Sequence, residues 1–213
     1  MVARNGFNKD DITRFFEQGI DIGGRAIYIG SVESRSSEDD DPGVNYITAE
    51  YAIKGLYVLN RLDKGRITAI LNTIGGDEFN GFAIYDAIRA SPSPVDIVVY
   101  GNAMSMGAVI LQAGRKRLLH PNSTLMIHDG TLNQTEMPVR SASNWTAFEK
   151  ELCNRMYRIF AERSGQKPSY WKRKCTHDYI LTPEEAIEQG LADKVILPKQ
   201  TFIVASPERK LHT

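Results

Sequence analysis

The chain has 213 residues, and its 26 Lys and Arg balance its 26 Asp and Glu, which argues against a nucleic-acid or membrane-surface partner. Its two cysteines, Cys153 and Cys175, form neither a disulfide framework nor a metal-binding pattern, and they are typical of a reducing compartment. The first residues lack the apolar core of a secretory signal, and no run approaches about 18 apolar residues. We therefore expect a cytoplasmic protein of one domain, or at most two, without a membrane span.

The first half of the chain alternates strand-like and helix-like patterns around one polar segment. An amino-terminal helix is predicted from the apolar residues Ile12, Phe15 and Phe16. Residues 33–45, rich in serine and acidic residues, are typical of a solvated surface loop. Thr48 is predicted to cap the helix that follows this loop. Strands are expected at 25–32 and 66–73, helices at 48–65 and 79–90, and a glycine turn at 75–76.

The second half continues the alternation and ends in a long amphipathic helix and a short one. Apolar residues spaced by three and four predict the long helix, which Gly165 is expected to end. Pro183 is expected at the first position of the short helix. Strands are predicted at 95–101, 115–120, 123–128 and 194–198, and helices at 105–114, 141–164 and 183–190. The whole pattern indicates an α/β fold with mostly parallel strands.

Ser105 stands in the stretch GNAMSMGAVILQAG (101–114), where a predicted strand turns directly into an apolar helix. A hydroxyl at a helix start lies beside unpaired backbone N–H groups and the positive end of the helix dipole, which favour a developing negative charge. The Met106 N–H is then a natural oxyanion donor, and Gly76 in the glycine turn offers a second. The pattern is compatible with a nucleophile, although a capping or packing serine is the commoner explanation of this spacing alone.

A serine nucleophile needs a base, and the chain has four histidines. His128 is the candidate that ends an apolar strand next to a loop, whereas a buried structural histidine is the competing interpretation. His120 precedes a proline in a turn, His177 lies in a polar loop and His212 is near the carboxyl terminus.

The third group of a triad would hold the histidine tautomer and stabilise its charged form. Asp129 is adjacent to His128, but successive strand residues point to opposite faces. Asp178 precedes an apolar segment that could draw it inward, and Asp193 follows the short helix. The residues alone favour Asp178 only modestly.

Four segments together resemble the ClpP family, the proteolytic subunits of Clp proteases. They are GNAMSMGAVILQAG at 101–114, PNSTLMIH at 121–128, DYILTPEEAIEQGLADKVI at 178–196 and NTIGGDEFNGFAIYDAI at 72–88. The segments occur in the family's order at similar spacing, and the resemblance covers roughly 21–197. The expected boundaries are a divergent segment at 1–20, a ClpP-like serine protease domain at 21–198 and a tail at 199–213.

The resemblance implies a serine endopeptidase with Ser105 as nucleophile, His128 as general base, Asp178 as orienting residue, and Gly76 and Met106 as oxyanion-hole donors. It implies a crotonase-like spiral of βαβ units with a protruding helix-strand handle near 141–164. It further implies a homo-oligomer built of heptameric rings, possibly two stacked. The implied substrates are unfolded polypeptides delivered by an ATP-dependent AAA+ unfoldase, and no cofactor or metal is implied.

Several segments depart from the family's usual pattern. Ile74 replaces a proline before the glycine pair, and Asp129-Gly130 replaces the usual Gln-Pro after the histidine. The acidic segment at 33–45 has no usual counterpart, and the amino-terminal segment does not resemble the usual axial-pore sequence. Two further interpretations therefore accompany the protease: a non-catalytic ring subunit, and an acyl-CoA hydratase or isomerase of the same fold.

Overall fold

The computed structural model describes residues 9–30, 43–130 and 136–197. Most of the acidic segment at 33–45, the first eight residues and the predicted tail at 199–213 lie outside the described residues. In the described part, the strands are β1 (Ile20–Asp21), β2 (Ala26–Gly30), β3 (Ile67–Thr73), β4 (Val95–Met104), β5 (Arg117–Leu119), β6 (Thr124–Ile127), β7 (Tyr179–Leu181) and β8 (Lys194–Val195). The helices are α1 (Lys9–Gln18), α2 (Tyr46–Leu62), α3 (Glu78–Arg89), α4 (Met106–Gln112), α5 (Val139–Ser164), α6 (Pro168–Lys174) and α7 (Pro183–Glu188).

The strands form one sheet in the order β1-β2-β3-β4-β5-β8. The pairs from β2 to β8 are parallel, and β1 is antiparallel to β2. The sheet branches at β4, which pairs with β5 through its first half and with β6 through its second half. β7 then pairs antiparallel with β6. The mixed but mostly parallel α/β sheet confirms the predicted fold class.

β4 pairs with two different strands on one edge because its backbone bends at Gly101, which has a φ of 80°. Few side chains tolerate this conformation, whereas glycine adopts it without steric cost. The Asn72 side chain steadies the bend, since its Oδ1 accepts a hydrogen bond of 3.0 Å from the Asn102 N–H. The second half of β4 thereby leads into the pairing with β6.

Helix α4 lies in the centre of the domain, and all of its residues are buried. Its apolar side chains join the same core as the strands, and Gln112 donates to the carbonyls of Ala108 and Leu191. A helix that is apolar on all sides is expected only where neighbours cover every face. Neighbouring elements therefore pack against every side of α4, the helix that follows Ser105.

The long helix α5 is buried only in its second half. Its buried residues begin at Leu152, whereas Val139 is 85% exposed and Trp145 is 42% exposed. Gly165 ends the helix in the left-handed conformation with a φ of 76°, as predicted. The first half of α5 extends past the core, which agrees with the predicted handle.

Two local predictions were wrong or incomplete. Thr48 does not cap α2; Asn45 does, since its side chain accepts a hydrogen bond of 3.0 Å from the Thr48 N–H. Helix α6 lies in a stretch for which the sequence predicts no element, yet Trp171 within it is fully buried against Phe160. None of the helices in the described ranges is long and apolar enough to span a bilayer.

The two leucines near the end of α2 provide a matched test of this packing. Leu59 is fully buried and Leu62 is 57% exposed. We expect Leu59→Ala to lower the free energy of unfolding by about 2–5 kcal/mol because it leaves a cavity. Leu62→Ala should change it by about 0.5 kcal/mol or less. Urea unfolding followed by circular dichroism measures both, and equal effects would contradict the placement of α2.

Candidate functional site

Ser105 occupies the junction between β4 and α4 in a strained backbone conformation. Its φ is 50° and its ψ is −119°, and its side chain makes no capping bond to α4. A positive φ is uncommon for a residue with a side chain, and it persists only where the surroundings enforce it. One such restraint is a 2.8 Å hydrogen bond from the Ser105 N–H to the Met126 carbonyl. The hydroxyl is thus held away from its own helix.

The glycine turn after β3 lies directly against Ser105. A Cβ atom on Gly75 would come within 2.5 Å of the Ser105 Cβ, so only glycine fits there. The Val44 N–H donates to the Gly75 carbonyl at 2.6 Å, and the Asp77 N–H donates to the Val44 carbonyl at 2.8 Å. These are the hydrogen bonds of a parallel bridge between Val44 and Gly76, a pattern that does not use the Gly76 N–H itself.

Met106 is the first residue of α4, and its side chain is buried. The first N–H groups of a helix have no carbonyl partner within the helix. The backbone N–H groups of Met106 and Gly76 therefore belong to the two segments that flank Ser105, the helix start and the glycine turn.

His128 immediately follows β6, and its Nε2 lies 2.9 Å from the Ser105 Oγ. Its Nδ1 lies 3.6 Å from the Asp178 Oδ1, which is longer than a hydrogen bond. The register of β6 with β7 explains this proximity, since Ile127 is paired with Tyr179 and the next residues outward are His128 and Asp178. The Asp178 side chain is 64% exposed, so it is not drawn into the core.

The other acidic candidates have different partners. Asp129 accepts a hydrogen bond from the Tyr157 hydroxyl, and its N–H donates to the Cys175 carbonyl at 2.8 Å. Asp193 accepts from Arg117, which is almost fully buried. The structure therefore brings neither of these carboxylates to His128.

Of the remaining histidines, the structure describes His120 and His177. The His120 ring lies against the Tyr100 ring with centroids 4.0 Å apart. His177 is exposed, and His212 is outside the described residues. Among the described ranges, no group of His, Cys, Asp and Glu side chains is arranged to hold a metal ion.

A cavity of about 420 Å³ opens beside Ser105 and His128. Three acidic residues that the sequence did not single out line it, Asp77 and Glu78 at the start of α3 and Glu149 on α5. Burial, followed by a hydrogen bond with Glu149 and repulsion from Glu149 and Asp77, raises the pKa of Glu78 to about 7. The only signal in the sequence was that Asp77-Glu78 directly follows the glycine pair.

Comparisons with known proteins point to one family. The model of the Clp protease family matches residues 41–199, well over half of the chain. The chain is also 35% identical over 136 residues to a protein of Deinococcus radiodurans named ATP-dependent Clp protease proteolytic subunit. This match covers 61% of the chain and 64% of that relative, so the chain spans a little less than two thirds of the relative's length.

The close fit of Gly76 offers a test of the turn. A Cβ on Gly76, whose φ is 141°, would lie 2.5 Å from both the nitrogen and the oxygen of Val44. We expect Gly76→Ala to lower the free energy of unfolding by about 1–3 kcal/mol through backbone strain.

Gly23→Ala is the control for this substitution, because the nearest atom to a Cβ there is 3.7 Å away and it should be close to neutral. Thermal unfolding of both variants measures the difference. An unchanged Gly76→Ala protein would show that the turn does not pack against Val44 in this way.

Proposed function

The chain belongs to the Clp protease family, and from this premise we propose that it is a serine endopeptidase using Ser105, His128 and Asp178. The observation that carries the proposal is the 2.9 Å contact between the Ser105 Oγ and the His128 Nε2. A nucleophile and its base must lie within hydrogen-bond reach for proton transfer. The strained backbone of Ser105 supports it as well, since strain of this kind clusters at functional sites.

The proposed reaction has two stages. The Ser105 Oγ attacks the peptide carbonyl carbon while its proton passes to the His128 Nε2, and the new C–O bond gives a tetrahedral oxyanion. The C–N bond then breaks as His128 returns the proton to the leaving amine, which leaves an acyl-enzyme. Water, deprotonated by the same histidine, attacks the ester and releases the carboxylic acid and the free serine.

Asp178 is proposed as the group that orients His128. A carboxylate beside Nδ1 favours the tautomer with its proton on that nitrogen, so that Nε2 is free to accept the serine proton. The 3.6 Å separation supports this role, because catalytic hydrogen bonds are often long without substrate and shorten when it binds.

The oxyanion is proposed to be held by the backbone N–H groups of Gly76 and Met106. Both belong to segments packed around Ser105, and backbone donors need no reorganisation when charge develops. The loss of one donor of this kind typically costs about 10²–10³ in rate.

We also propose assembly into heptameric rings, possibly two stacked, fed with unfolded polypeptides by an AAA+ unfoldase in the cytoplasm. The name of the Deinococcus radiodurans relative supports the ATP-dependent partner. Exposed aromatic side chains on and beside the first half of α5 support association through this helix. They are Phe79, Trp145 and Phe148.

A fluorophosphonate probe tests the proposed triad. We expect the probe to label Ser105, as mapped by peptide mass spectrometry, and His128→Ala to slow labelling by about 10⁴-fold or more because the base is lost. Asp178→Asn should slow it by up to about 10⁴-fold through the wrong tautomer.

His177→Ala is the matched control, since His177 is exposed next to Asp178 and lies outside the cavity lining. It should label at the rate of the unchanged protein. Absence of labelling in the assembled protein would refute the peptidase and leave the non-catalytic subunit or the acyl-CoA hydratase or isomerase.

Native mass spectrometry tests the assembly. We expect masses of seven or fourteen copies, and Trp145→Glu should reduce the larger species if the exposed end of α5 joins two rings, because a charge would replace an apolar contact. Lys150→Glu, an exposed change on the same helix, is the control. A monomer at micromolar concentration would contradict the ring proposal.

A further inference from the structure

The cavity beside Ser105 has a charged wall that the proposed reaction does not use. Glu78 at the start of α3 and Glu149 on α5 line it, and so does Asp77, whose side chain caps α3 by accepting from the Asn80 N–H. The lining residues in the described part of the chain include no lysine or arginine. Among the described lining residues, three are acidic and His128 is the basic one.

Glu78 and Glu149 both line this cavity, which places two carboxyl groups close together in a partly buried site. Two facing carboxylates repel each other strongly when both ionise, and burial adds to the cost. These effects raise the pKa of Glu78 to about 7. A positively charged group in this cavity would relieve the repulsion between the two carboxylates.

The backbone after His128 leaves space for the Glu78 carboxyl group. A Cβ on Gly130 would collide with Oε1 of Glu78, so the absence of a side chain lets Glu78 lie against the main chain there. Gly130 belongs to the Asp129-Gly130 pair in which the sequence departs from the family's usual pattern. Gly130, where the sequence departs from the family's usual pattern, therefore lies against the Glu78 carboxyl group.

The cavity also has apolar lining on which an aliphatic stem can pack. Ile74, Phe79 and Met126 line it together with the carboxyl groups. Lysine and arginine side chains combine such a stem with a terminal cation, and they bury the stem while the charge finds a polar partner. An acidic side chain would instead face like charges.

We propose that this cavity receives a lysine or arginine side chain of the substrate, on the residue whose carbonyl Ser105 attacks, and that Glu78 and Glu149 select it. The inference rests on the proposed peptidase function. Cation binding favours the ionised carboxylates: any proton on Glu78 leaves to solvent, and both carboxylates then face the substrate's ammonium or guanidinium group. Charge-assisted hydrogen bonds of this kind are among the strong ones in proteins.

The test is a pair of fluorogenic peptides that differ only at the residue before the cleaved bond, arginine in one and norleucine in the other. With the assembled full-length protein, kcat/KM for the arginine peptide should exceed that for norleucine by about tenfold or more. Glu149→Gln and Glu78→Gln should each reduce this ratio, while the norleucine peptide is still cleaved. Glu151→Gln is the matched control, because Glu151 is on the same helix but binds Arg158 and does not line the cavity.

The pH dependence of the ratio provides a second readout. Glu78 faces Asp77 on its own helix, Glu149 and Cys153 on α5, and His128 across the cavity. Because the pKa of Glu78 is raised to about 7, its carboxyl group is neutral below that pH and charged above it. The arginine preference should therefore rise as the pH increases through about 7, and the ratio removes any effect of pH that is common to both peptides. A ratio independent of pH would contradict the role of Glu78.

Binding to Ser105→Ala separates this inference from the proposed function. Calorimetry with the two peptides needs no catalysis, and the arginine peptide should bind about tenfold more tightly. If Ser105 is never labelled and no peptide is cleaved, the peptidase proposal fails, and tighter arginine binding would still support the cationic subsite. Equal binding, or equal or faster cleavage of norleucine in the unchanged protein, would overturn the subsite.

Discussion

The parallel pairing of β4 with β6 is the constraint on which the site depends. The register places Met104 beside Met126, and the Ser105 N–H then bonds to the Met126 carbonyl at 2.8 Å. Two residues further along, His128 meets the Ser105 hydroxyl. A shift of this register by one residue would turn the side chains of β6 to the opposite face and remove the histidine from the serine. The Ser–His contact is thus a consequence of strand pairing.

The same pairing requires the bend in β4. β5 occupies the neighbouring position along the first half of β4, so β6 can pair only with the second half, beyond Gly101. The bend directs the end of β4 toward the glycine turn, where Gly75 lies close enough to Ser105 to exclude any side chain. The strained φ of Ser105 is maintained by this enclosure and by the fully buried helix that follows.

The structure shows what Asp129 and Gly130, the two residues after His128, contact. Asp129 is bound by the Tyr157 hydroxyl from α5 and by its own N–H to the Cys175 carbonyl, which anchors the chain leaving β6. Gly130 leaves room for Glu78. The Asp129-Gly130 pair therefore couples three elements, α3, α5 and the segment after α6, around the proposed substrate cavity.

The sequence alone determined the α/β class, most of the strands and helices, and the candidates Ser105, His128, Gly76 and Met106, because hydrophobic periodicity and glycine turns are local signals. It did not determine which carboxylate approaches His128. The residues favoured Asp178 over Asp129 and Asp193 only modestly, and the antiparallel register of β7 with β6 is what brings Asp178 within 3.6 Å of His128. The burial of Trp171 and the placement of Glu78 and Glu149 in one cavity were likewise decided by tertiary packing, since each depends on elements far apart in the chain.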